Sequence, residues 1–105
     1  MSIEIYGHIL ETVKKGDYRI TQHATEEMAA DELGLEEVIM SLTNGEIIEY
    51  YPDDFPFPSC LIYGKGSRGK NIHSVWAFDE LKRIAILITV NRPDQNRWID
   101  FRFRR

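Results

Sequence analysis

The sequence predicts an α+β domain, with N-terminal helices packed on one face of a C-terminal antiparallel sheet. Two observations carry this. Before Gly45 the apolar residues recur every three to four positions; after it, β-branched and aromatic residues dominate and the apolar period falls toward two. The chain of 105 residues also suits one domain over 1–105, since that length buries roughly two-thirds of the surface its unfolded form exposes.

Ile3, Tyr6, Ile9, Leu10 and Val13 share one helical face, and Lys14, Lys15 and Gly16 supply a basic last turn and a stop, so the first helix covers 3–15. Tyr18-Arg19-Ile20 reads as extended. Thr21 then caps a second helix over about 21–32 that carries His23, Ala24, Met28 and Ala29. Past Gly34, Leu35, Val38, Ile39 and Leu42 mark a third helix over 35–44, with Glu36 and Glu37 in its first turn and Asn44-Gly45 at its end. Strands follow at 46–51, 60–65, 72–79, 83–90 and 98–104. The almost wholly apolar 83–90 is expected in the sheet interior, covered on both faces. In 98–104, Ile99, Phe101 and Phe103 alternate with Trp98, Asp100, Arg102 and Arg104, which predicts the first set in the core. Proline-rich 52–58 reads as a surface loop.

Charge is unevenly distributed. Residues 1–60 carry 3 Lys/Arg against 13 Asp/Glu, whereas 61–105 carry 10 against 4, so the halves stand at −10 and +6. A basic half on an acidic protein is a footprint for phosphate contacts. Cys60 is the only cysteine, which excludes an internal disulfide framework and reads as a core thiol. Acids at Glu4 and Glu11 and the lack of a long apolar run argue against a signal peptide or membrane association, leaving the cytoplasm as the expected location.

The segment 64–69 (GKGSRG) fits G-x-G-x-x-G, but a strand follows where the dinucleotide fingerprint needs a helix N-terminus. It reads as a hairpin loop on which Lys65, Arg68 and Lys70 either hold a phosphate backbone or are simply solvated. Arg92, Arg97, Arg102, Arg104 and Arg105 lie near Trp98 and Phe103. Guanidiniums with stacking surfaces suit single-stranded RNA; the same pattern suits a charged edge strand protected from association or paired with an acidic partner. His8, His23 and His73 lack metal-ligand spacing, so neither a metal nor a cofactor is expected. His23 opens a helix with Glu27 four residues on, and His73 sits on a strand; each is either a structural imidazole or a proton-transfer group.

The stretches 20–28 (ITQHATEEM), 44–50 (NGEIIEY), 60–64 (CLIYG), 72–75 (IHSV) and 88–98 (ITVNRPDQNRW) resemble the bacterial domain-of-unknown-function 4258 family. That resemblance implies a RelE/ParE- and BrnT-like toxin fold, a small zinc-finger antitoxin as partner, and a ribonuclease or ribosome-directed activity. Three departures stand out: Glu27 occupies the place of an arginine, 31–35 (DELGL) replaces a short R-G-I-S loop, and Asn91 stands where a tyrosine is expected. They remove a cation and a phenol.

Besides a folded toxin relic with no remaining activity, two readings follow. In one, His73 or His23 moves protons in a metal-independent ribonuclease, or the chain only binds RNA, with Lys65, Arg68, Lys70, Arg92, Arg97, Trp98 and Arg102 as the phosphate-binding and stacking set. In the other, the chain is a non-catalytic module that binds a protein partner through its basic C-terminal strand edge.

Overall fold

The computed structural model describes residues 2–105, with side chains from Glu4 onward, so the side chain of Ile3 lies outside the described residues. Helix α1 (Ser2–Lys14) buries Ile5, Ile9 and Val13, spaced four apart, against the sheet. It ends where Gly16 takes a φ of +84° and the Asp17 N–H bonds back to the Thr12 carbonyl at 2.8 Å. Strand β1 (Tyr18–Ile20) leads to α2 (Gln22–Ala30), which Thr21 caps by accepting the Ala24 N–H at 3.0 Å. Helix α3 (Leu35–Thr43) starts with the Glu37 carboxylate accepting the Gly34 N–H at 2.9 Å. Leu33, expected in a loop, is 5% exposed and belongs to the core.

Four strands form an antiparallel meander: β2 (Glu46–Tyr51), β3 (Ser59–Lys65), β4 (Asn71–Asp79) and β5 (Ile84–Asn91). The sheet order is β1-β5-β4-β3-β2. One strand departs from the antiparallel expectation. Residues 18–20 pair in parallel with 85–87, and that contact between chain segments far apart in sequence leaves no mark on local periodicity. Strand β5 is interior as expected, but only one of its faces is covered: Ala85, Leu87 and Val90 are buried, while Ile88 is 37% exposed. Ile88 has no partner on β4, because pairing jumps from Val75 with Thr89 to Trp76 with Leu87.

Beyond β1, helix α2 takes over the free edge of β5. The Thr21 hydroxyl donates to the Ile88 carbonyl (2.9 Å), Glu27 Oε1 accepts the Val90 N–H (3.0 Å) and Asp31 Oδ2 accepts the Arg92 N–H (2.9 Å). These side chains satisfy backbone groups that would otherwise invite another strand.

The core lies between helices and sheet, where Ile9, Val38, Leu42, Ile62, Ile72, Trp76 and Leu87 are wholly inaccessible. α3 runs so close to β3 that a Cβ on Gly64 would stand 1.9 Å from the Ser41 carbonyl oxygen. The first glycine of GKGSRG is therefore required by helix packing, and the loop after it is the expected hairpin turn, closed by Gly66 N–H to the Lys70 carbonyl (3.0 Å).

The C-terminal segment corrects two expectations. In place of one strand over 98–104 there is a hairpin of β6 (Trp98–Ile99) and β7 (Phe103–Arg104), separated from the main sheet. Its turn carries positive φ at Asp100 (53°) and Phe101 (61°), as in the primed hairpin turns. The expected facing is also inverted at its ends: Trp98 is buried, whereas Ile99 and Phe103 are 48% and 63% exposed. The reason is where the hairpin docks, across the sheet face away from the helices, so that Trp98 meets His73.

Candidate functional site

Strand alternation and register lay out the helix-free face in rows. Glu46, Tyr63, His73 and Asn91 are successive partners across β2 to β5, and Glu49, Leu61, Val75 and Thr89 form the next row. The C-terminal hairpin lies on this face and leaves a cleft of about 440 Å³ lined by Tyr51, His73, Thr89, Arg92, Arg97 and Arg104, among others.

His73 is 3% exposed. Its Nε2 donates to the Phe101 carbonyl at 2.6 Å, since a carbonyl can only accept, and this leaves the Nδ1 lone pair as the basic position of the neutral ring. Trp98 meets the ring edge-on with centroids 4.5 Å apart, and Tyr63 does so at 5.9 Å. Burial pulls the imidazole pKa below its ordinary value, against the opposing pull of the Phe101 bond and of the Glu49 charge, so the neutral form is favoured. A neutral imidazole accepts a proton and is a poor fixed cation.

Beside it, the Arg104 guanidinium bonds to Glu49 (Nε to Oε2, 2.8 Å) and holds that carboxyl below the usual range. The Tyr51 hydroxyl donates to the same carboxylate, and burial with that neighbour pushes the phenol up to about 12, so it stays protonated. Thr89 donates its hydroxyl proton to Glu27, whose carboxylate also faces His23 Nε2 at 3.4 Å. Glu27 thereby ties α2 to the edge of β5.

Of the residues read from sequence, His73, Arg92, Arg97 and Trp98 converge on this cleft. Arg92 and Arg97 are not among the ion-paired residues of the described chain, and Arg97 is exposed. Trp98 is present in a different capacity from the expected stacking platform: the Arg104 guanidinium lies 4.7 Å from its ring centroid and His73 abuts it, so the indole is a strut. Lys65 and Arg102 line a separate recess, where Arg102 pairs with Glu46 (2.6 Å) and Asp100 (2.9 Å). Lys70 is committed to Glu37 (3.6 Å) and the Glu32 carbonyl (2.8 Å), pinning the glycine loop to α3. Arg68 is exposed on that loop, and His23 is exposed on α2 outside the cleft lining. Cys60 is fully buried, and burial pushes its thiol up to about 12, which makes it inert.

The reading from sequence missed Glu49, Tyr51 and Thr89. Plain alternation hides them, because it groups Glu49 and Tyr51 with Ile47 and groups Thr89 with Leu87, which pack on the core; the register shifts at Ile48 and Ile88 are what turn them to the face of Leu61 and Val75.

A family model matches residues 20–92, a span that includes the whole meander floor of the cleft and stops before the hairpin. No curated protein and no solved structure matches the chain. The match over 20–92 takes in well over half of the sequence, and the chain belongs to the family described as "Domain of unknown function (DUF4258)".

Proposed function

We propose that the helix-free face binds single-stranded RNA through Arg92 and Arg97 and that His73 is its proton acceptor. The observation that supports this reading is the pairing of two guanidiniums, free of carboxylate ion pairs among the described residues, with a buried neutral imidazole in one cleft. Phosphate contacts of this kind need available, positioned cations, and Arg92 and Arg97 stand at the two ends of the connection 92–97, held between β5 on one side and the C-terminal hairpin on the other.

In the ribonuclease form of the proposal, His73 Nδ1 takes the proton of a ribose 2′-hydroxyl and that oxygen attacks the adjacent phosphorus. The bond to the 5′ oxygen breaks, and the departing oxygen takes a proton from water. The two guanidiniums offset the charge that accumulates on the phosphoryl oxygens. An antitoxin-type protein partner is part of the same proposal, as the control such an activity needs. The rival reading, a partner docked on the basic strand edge, is weakened by the commitment of Arg102 and Arg104 to Glu46 and Glu49 of their own chain.

Fluorescence anisotropy with a labelled single-stranded RNA tests the binding half. Affinity should fall steeply between low and moderate salt, and replacing Arg92 and Arg97 by alanine should reduce the logarithmic salt slope by about 0.7 for each phosphate no longer neutralised. Undetectable binding at low salt, or a slope untouched by both substitutions, overturns the proposal.

A further inference from the structure

The end of β4 remote from His73 carries a second cleft, of about 390 Å³, with a different chemistry. Its lining combines Tyr50, Phe57 and Leu81 with the carboxylates of Glu4, Asp79 and Glu80. The floor is packed: Phe78 is stacked on His8 with centroids 5.2 Å apart and covered by the Arg83 guanidinium at 4.9 Å. The rim is the reverse. Leu81, at the tip of the turn between β4 and β5, is 97% exposed, and Phe55, next to the lining residue Pro56, is 91% exposed. Neither contributes to the core, so the fold gives no reason for a large apolar side chain at either place.

The acids decide what this surface accepts. Glu4 and Glu80 form no ion pair among the described residues, and Asp53 and Asp54 lie in the loop that carries Phe55. A nucleic acid or an anionic membrane surface would be repelled. A peptide offering apolar side chains alone would leave the carboxylates desolvated beside it.

We propose that this cleft is the docking site for a segment of a partner protein in which apolar side chains alternate with lysines or arginines. The apolar groups cover Leu81, Phe55 and Phe57 while the cations meet Glu4 and Glu80, and charge complementarity selects this occupant over the others. The site lies apart from the Arg92 and Arg97 cleft, so the two surfaces can be occupied together, and this docking stands whether or not the other cleft takes RNA.

The test uses the full chain with two fluorescein-labelled probes, a peptide of alternating leucine and lysine and its leucine and glutamate counterpart, read by anisotropy. The lysine probe should bind and the glutamate probe should not. Leu81→Asp should weaken binding about tenfold or more, as removal of an apolar anchor does, and the double reversal Glu4→Lys with Glu80→Lys should do the same. Ile99→Asp, at an exposed apolar residue on the C-terminal hairpin, should leave binding unchanged. Because Leu81 and Ile99 are exposed, both variants keep the fold, which circular dichroism verifies. Equal binding of the two probes, indifference to Leu81→Asp, or equal weakening in Ile99→Asp overturns the proposal. So does a wild-type dimer in sedimentation that Leu81→Asp dissociates, because the occupant would then be a second copy of the chain.

Discussion

Arg104 and Glu49, 55 positions apart, are joined by two hydrogen bonds of 2.8 and 3.0 Å. The pair is one of the points at which the basic C-terminal half of the chain is fastened to its acidic first half, and the same guanidinium covers Trp98. Part of the charge asymmetry visible in the sequence is therefore internal complementarity, in which Arg102 and Arg104 close the hairpin onto the sheet. Arg104→Ala should lower stability by about 1–2 kcal/mol, combining a partly exposed bidentate pair with a cation–π contact. Trp98 should become more accessible, seen as a red shift in tryptophan emission. Ile99→Ala, also on the hairpin, should give neither change, and an Arg104→Ala protein as stable as wild type with unshifted emission would show that the hairpin is held otherwise.

His73 makes stability depend on pH near neutrality. Its folded pKa lies below the unfolded value, so in the window between them the unfolded chain binds more protons. The contribution is fully present above an unfolded pKa of about 6.5 and is lost as pH falls below it toward the folded value. Denaturant midpoints should decline as pH is lowered from neutrality through this window, and His73→Gln should remove much of that decline. Glu49 acts in the same direction in a lower window, because its folded pKa is depressed below an unfolded value of about 4.3. An unchanged slope in His73→Gln would contradict the burial assigned to this ring.

Two glycines should respond oppositely to alanine. At Gly64 the new methyl would stand 1.9 Å from the Ser41 carbonyl oxygen, a backbone atom that cannot move without displacing α3. Gly64→Ala should cost about 3 kcal/mol or more, at or above the usual cost of overpacking. Gly7, inside α1, has no atom of the described residues outside its own stretch of helix backbone within 4 Å of the place a Cβ would occupy, and Gly7→Ala should add up to about 1 kcal/mol through helix propensity. Thermal unfolding of both variants decides the matter, and a tolerated Gly64→Ala would mean that α3 does not sit against β3 as described.

The three helices and the four-strand meander were legible because each has its own apolar period and its own stop, as with Val13 before Gly16 and Leu42 before Gly45. What escaped were contacts between distant segments. Nothing local in Tyr18-Arg19-Ile20 says that its partner is 85–87. The alternation of Trp98, Asp100, Arg102 and Arg104 was real in the sequence, yet the left-handed turn at Asp100 and Phe101 folds it into a hairpin. For the site, strand position placed His73 among the basic strands. Whether each arginine was free was beyond reach, since Arg102 and Arg104 are neutralised by glutamates more than fifty residues earlier while Arg92 and Arg97 are not.

Cleavage of a single-stranded RNA by the purified chain, in EDTA and freed of any bound partner, tests the central claim most directly. The account predicts products ending in a 2′,3′-cyclic phosphate, with turnover reduced about 10²–10⁴-fold in His73→Ala and RNA affinity nearly intact, whereas His23→Ala stays close to wild type. Cleavage that survives His73→Ala undiminished, or wild-type protein that binds RNA and never cuts it, would contradict the assignment of His73 as the proton acceptor.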